Sequence, residues 1–260
     1  MSLDQPNDFV KHQTLTRDAF LGGRLVVSQP GHGFRAGVDS VILGAAVNPA
    51  STRLLDMGAG VGVAGMVAMA DLPQLKADLV EIDEETLGIT HINLRDNALA
   101  DRARAFLVDV TAKGSERAAA GVEADAYTSV IANPPYFGSN GTISPKAGRA
   151  TARHMDAEQL ALWVRAAAMH AAPGGEIIFV HVAQVLPQLL TALDARFGGL
   201  TVLPLSPRRG MDCSRILVRA IKGSKAPFRM LATRPLHEDV GQAFMPEFQA
   251  IFRGTGRLHW

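Results

Sequence analysis

The chain has 260 residues, 47% of them hydrophobic, and a formal charge of +1, which suits one α/β domain with some added material and announces no nucleic-acid partner through bulk charge. Its single cysteine, Cys213, excludes an intramolecular disulfide and a cysteine-based zinc site, and agrees with a reducing, cytoplasmic setting. The polar, acidic start MSLDQPND is unlike a signal peptide, and no apolar run reaches the ~18 residues needed to cross a bilayer.

In chain order, Ala19 to Gln29 carries Gly22-Gly23 between apolar segments and reads as a short hairpin. Val38 to Val47 reads as a helix with Asp39 as its cap, stopped by Asn48-Pro49. Strand and helix then alternate. Arg53 to Met57 is a buried strand, Gly58 to Gly62 a glycine-rich turn, and Val63 to Ala70 a helix. Asp78 to Ile82 is the second strand and Glu84 to Ala98 the second helix. Phe106 to Val108 lies in a third strand, and Thr128 to Ala132 in a fourth. A Gly-, Ser- and Pro-containing loop spans Phe137 to Gly148. Asp156 to Ala172 is a helix closed by Pro173-Gly174-Gly175, Glu176 to Val182 the fifth strand, and Gln184 to Phe197 another helix. Leu200 to Leu205 and Arg215 to Ile221 suggest a final hairpin at the sheet edge. The alternation predicts a mostly parallel sheet with helices on both faces, whose ligands sit at the carboxyl ends of the strands. We divide the chain into an N-terminal extension (1–48) packing near the ligand site, a central domain (49–234) and a C-terminal tail (235–260).

The turn Asp56-Met57-Gly58-Ala59-Gly60-Val61-Gly62 follows the first strand and opens a helix. Glycines there let a ligand approach the backbone closely. A carboxylate just before them repels phosphate and suits a cationic end, such as the amino group of methionine. Taken alone, the same segment also fits a bare strand–helix turn. Glu81 ends the second strand, where a carboxylate accepts both hydroxyls of a ribose; Asp83 suits the cap of the following helix. Asp109 ends the third strand and could accept from the exocyclic amine of an adenine, or could be a solvated turn residue. Three acids at three successive strand ends describe a site for an adenosine-containing ligand without phosphates.

Asn133-Pro134-Pro135-Tyr136 follows the fourth strand. Its prolines stiffen the backbone and remove donors, leaving carbonyl oxygens to face a cleft. An amine conjugated to a ring is a poor nucleophile. The Asn133 side-chain oxygen and the Pro134 carbonyl can hold its hydrogens and aim its lone pair at an electrophilic methyl group. Tyr136 can stack on a flat substrate. No histidine cluster suggests a metal.

Asp56 to Gly62, Glu81, Asp109 and Asn133 to Tyr136 resemble the motifs of class I amino-methyltransferases. Within that group the chain resembles the bacterial tRNA (adenine-N6)-methyltransferase family, which modifies a valine tRNA beside the anticodon. Supporting matches are Gln29-Pro30, Gly33 to Leu43, Arg149 to His154, and Ser214 to Val218 with Lys222-Gly223; Cys213-Ser214 departs from the family's usual Asn. The resemblance implies a Rossmann-like fold with seven strands, the last antiparallel. It implies S-adenosylmethionine as cofactor, held by Asp56, Gly58, Gly60, Glu81, Asp109 and Asn133. It makes Asn133, Pro134 and Tyr136 the catalytic set, and tRNA the partner. Phe34 to Asp39 then lies beside the cofactor, though Phe34 and Val38 also suit core packing.

Candidate substrate contacts are Tyr136, Phe137, Arg149, Arg153, Arg208 and Arg209. The last two begin a basic run with Arg215, Arg219, Lys222, Lys225, Arg229 and Arg234, offset only by Asp212. It reads equally as a phosphate-binding stripe and as the solvated face of an edge strand. Arg149 and Arg153, with His154, could meet substrate phosphates or pair with Asp156 and Glu158. Other readings are a guanine-N2 RNA methyltransferase, a protein glutamine-N5 methyltransferase, and a non-catalytic cofactor-binding module. A release-factor enzyme usually adds a helical N-terminal domain, for which this chain has no room.

Overall fold

Strand residues here are apolar in consecutive pairs, which only a sheet buried on both faces can accommodate. The computed structural model describes residues 15–32, 35–135, 149–193 and 196–260, and of 149–157 the backbone alone. Among the described residues the main sheet has nine strands, seven of them long: β3 (Arg53–Met57), β4 (Lys76–Glu81), β5 (Ala103–Leu107), β6 (Tyr127–Ala132), β7 (Ala171–Val182), β8 (Phe197–Ser206) and β9 (Arg215–Lys222). They lie in the order β5-β4-β3-β6-β7-β9-β8. All neighbours are parallel except at β9, which is antiparallel to both β7 and β8. The last two main strands pair as the expected hairpin at that end of the sheet, with β9 on the inside, between β7 and β8. Two short strands, β10 (Arg229–Met230) and β11 (Arg234–Pro235), pair with β8, so its outer edge is covered.

Alternate strand residues face two separate cores. Leu54, Leu79, Ile131 and Ile178 join one cluster with α1 (Val38–Ala45), α2 (Val63–Asp71), α3 (Glu84–Asp96) and α7 (Pro246–Phe252). Leu55, Val80, Val130 and Ile177 join the other with α5 (Arg149–His170) and α6 (Leu186–Ala192). A short α4 (Gly114–Ala119) precedes β6. The hairpin of β1 (Leu15–Phe20) and β2 (Leu25–Pro30) forms its own two-stranded sheet.

Several boundaries differ from the sequence reading. Gly37 occupies the N-cap of α1, and Asp39 lies inside the first turn, where it pairs with Arg215 at 2.9 Å. Asp83 does cap α3, accepting from the Thr86 amide at 2.8 Å. Pro173-Gly174-Gly175 lies within β7, at a break in register with β6. A side chain at Gly175 would meet the Tyr127 carbonyl at 2.8 Å. Helix α6 begins late because Pro187 has to occupy a first turn. No helix among the described residues is long and apolar enough to cross a membrane.

Candidate active site

Strand β3 is the switch point of the sheet: the chain runs outward through β4 and β5, then returns to β6 on the other side. Register places the expected residues together. Met57 is opposite Val80 on one side and Ala132 on the other, so Gly58, Glu81 and Asn133 leave the sheet at the same edge. Glu81 is opposite Leu107, two residues before Asp109. A cleft of about 220 Å³ opens there, lined by Gly58, Glu81, Asp109 and Pro135 among others. Sequence reasoning missed Ile82, Gln159 and Trp163, which also line it. Ile82 is 64% exposed, an apolar side chain held in solvent between two acids. Its position directly after Glu81 was the signal; Trp163 arrives from a distant helix and left none.

The turn between β3 and α2 uses glycine at three left-handed positions, with φ of 65° at Gly58, 56° at Gly60 and 90° at Gly62. Gly58 and Gly60 differ in surroundings. A side chain on Gly58 would strike the Trp163 ring at 2.5 Å, whereas one on Gly60 would meet nothing within 4 Å. Gly60 therefore presents bare backbone to open space, a seat that a ligand can fill.

The carboxylate of Glu81 is pre-set by backbone. It accepts from the amides of Gly60 (2.9 Å), Ile82 (2.8 Å) and Asp83 (3.0 Å). One oxygen of Asp109 accepts from the amide and hydroxyl of Thr111, both at 2.7 Å. Asp56 lies behind the turn, 2% exposed, and accepts from the Gly65 amide at 2.8 Å in the first turn of α2. Burial pushes its pKa up to about 7, against the Gly65 hydrogen bond and with help from nearby Glu81. Of the catalytic turn, Asn133 is half-buried, Pro134 buried and Pro135 exposed. Tyr136 and Phe137 lie outside the described residues, as does Phe34. Arg149 and Arg153 fall in the first turns of α5, where only the helix is described.

The basic run is largely committed within the fold. Arg208 donates to the carbonyls of Glu238 and Gly241. Arg215 pairs with Asp39, Arg219 with Glu176, Lys222 with Asp125 and Arg234 with Glu247. Arg209, Lys225 and Arg229 are exposed. Because β8 runs parallel to β6, Arg208 and Arg209 emerge at the same sheet edge as the cleft.

The residues present fit an adenosyl ligand bearing a sulfonium: bare glycine backbone, fixed carboxylates, an apolar wall at Ile82 and, among the described residues, no cationic side chain lining the cleft. A family model described as the methyltransferase small domain matches residues 35–205. A tRNA1(Val) (adenine(37)-N6)-methyltransferase of Tolumonas auensis is 30% identical over 164 residues, 62% of this chain and 65% of that protein. The namesake from Shewanella halifaxensis is 28% identical over 203 residues, 76% of this chain and 73% of that protein. The chain thus spans about two thirds to three quarters of these relatives' lengths. A solved predicted O-methyltransferase from Agrobacterium tumefaciens superposes with a TM-score of 0.72 at 29% identity, over 85% of this chain and 98% of the other. The chain belongs to the methyltransferase small domain family and shares the Rossmann-like fold of class I, S-adenosylmethionine-dependent methyltransferases.

Proposed function

We propose that the protein transfers a methyl group from S-adenosylmethionine to the exocyclic N6 of an adenine in tRNA, beside the anticodon of a valine tRNA, in the cytoplasm. The observation that carries this reading is the register that brings Asn133 out beside Gly58, with Glu81 on the other side of Gly58 at the same sheet edge. The names of relatives in Tolumonas and Shewanella support the base and the RNA.

The cofactor supplies an electrophilic methyl group on a cationic sulfur. Gly58 and Gly60 would give it close backbone, Glu81 would accept from the ribose and Asp109 from the adenine amine, while Asp56, expected from the sequence to meet its cationic end, is buried behind the turn and holds the start of α2 through the Gly65 amide. Asn133 and Pro134 accept the two hydrogens of the substrate amine and so turn its lone pair toward the cleft. Tyr136 and Phe137 hold the base, and Arg149, Arg153, Arg208 and Arg209 meet RNA phosphates. Arg208 joins them only by giving up its two carbonyls, so Arg209 is the stronger contributor. The amine loses its proton to water after transfer.

A second reading, methylation of a protein glutamine amide, is favoured by 27% identity to a human release factor glutamine methyltransferase over 165 residues, although that match covers only 42% of the relative. Asn133→Ala tests the catalytic assignment. Turnover on unmodified tRNA should fall by about 10²–10³-fold, as when one transition-state hydrogen bond is removed, while S-adenosylhomocysteine affinity falls far less. Unchanged turnover would remove Asn133 from the mechanism.

A further inference from the structure

Helix α3 turns a polar stripe inward. Thr90 and Asn93 are fully buried and Asn97 is half-buried, at spacings of three and four residues that put them on one face. The carboxamide of Asn93 accepts from the Ser28 amide at 2.7 Å and donates to the Ser28 carbonyl at 3.0 Å. Asn97 repeats this pairing on Val26, with both bonds at 2.9 Å. Val26 and Ser28 are alternate residues of β2, so the two asparagines stand where the peptide groups of a third strand would, and dock the hairpin.

The two differ in their remaining hydrogen. That of Asn97 returns to its own helix, at the Asn93 carbonyl (2.8 Å). That of Asn93 leaves the helix and reaches the Val61 carbonyl at 3.0 Å, in the glycine turn. Thr90 holds the preceding carbonyl, that of Gly60, at 2.7 Å. One helix face thus fixes two consecutive peptide groups of the turn, while the amide of Gly60 is held by Glu81 at 2.9 Å. Buried carbonyls stripped of such donors carry an unmet desolvation cost, so the turn would reorganise without them.

We propose that Thr90 and Asn93 are positioning residues for cofactor binding, and that Asn93 joins the seating of the N-terminal hairpin to the geometry of the glycine turn. Neither side chain need touch the ligand. The inference rests on the reading of the turn as the seat of the cofactor.

Asn97 supplies the control, because Asn97→Ala removes two hairpin bonds of the same kind, to Val26 where Asn93 bonds Ser28, and none to the turn. Affinity for S-adenosylhomocysteine is measured by calorimetry for Thr90→Val, Asn93→Ala, Asn97→Ala and Glu81→Ala, each with its melting temperature. Thr90→Val and Asn93→Ala should each weaken binding roughly tenfold, the equivalent of one hydrogen bond. Asn97→Ala should lower the melting temperature and leave affinity unchanged. Thr90→Val keeps the side-chain shape and carries the test if Asn93→Ala does not fold. Wild-type affinity in Thr90→Val would overturn the positioning role, and equal weakening in Asn97→Ala and Asn93→Ala would overturn the special place of Asn93. Wild-type affinity in Glu81→Ala would instead sink the cofactor-seat reading, whatever the α3 variants do.

Discussion

Gly58 and Gly60 look alike in the sequence and do different work. Both require a left-handed backbone, so alanine at either costs about 1–2 kcal/mol in conformation. Gly58→Ala also drives a methyl group into the Trp163 ring, 2.5 Å away. It should destabilise the fold by a further ~1–3 kcal/mol, read from urea unfolding. Gly60→Ala meets no protein atom within 4 Å; its stability loss should stay near the conformational cost, while cofactor affinity falls. Equal stability losses in the two variants would contradict this division. Asp56 makes a pH prediction. Its folded pKa, about 7, lies above the ordinary 3.8, so the native state holds a proton that the unfolded chain has released. Stability from this group therefore falls as pH rises from about 4 to 7, then levels off. Asp56→Asn keeps the acceptor for the Gly65 amide and cannot ionise. Its unfolding free energy should lose that part of the decline between about pH 4 and 7, and an unaltered pH profile would remove Asp56 as the cause.

Helix α1 shows what a single element owes to distant chain. Its last carbonyls have no partner within the helix. That of Ala45 accepts from the Leu258 amide at 3.2 Å, that of Ala46 from the Trp260 indole at 2.9 Å, and that of Val47 from the Arg257 guanidinium. Leu258 itself is buried at 5% exposure. Leu258→Ala should cost about 2–5 kcal/mol in denaturant unfolding; a loss below ~1 kcal/mol would show that the clamp contributes little. None of this was legible, because the partners lie more than 200 residues apart in sequence. The same limit hid the internal partners of the basic run, which local charge density makes look free. The α3 stripe was misleading in another way. Nothing in the sequence sets Thr90, Asn93 and Asn97 apart from solvated polar residues, and each meets backbone that would otherwise lack a partner. Helices α4 and α7 are too short, at six and seven residues, to set up a clear apolar period.

Across the whole molecule, the sheet was the most readable part. Strands buried on both faces are short apolar runs, and the glycine turn, Glu81 and Asn133 follow directly after them or end them, with Asp109 two residues past the end of β5. Reading the acids as strand-end residues was enough to bring Gly58, Glu81 and Asp109 to one cleft, because parallel strands in register align their ends. The order of β8 and β9 was not readable, since a hairpin in sequence does not say which strand lies inside. The chemistry proposed for that cleft is methyl transfer to an adenine amine. Its most direct test is methyl transfer from labelled S-adenosylmethionine to bulk, unmodified bacterial tRNA, followed by nucleoside analysis. The account predicts label in N6-methyladenosine. Label in N2-methylguanosine, or none in tRNA while the protein demonstrably binds the cofactor, would contradict it.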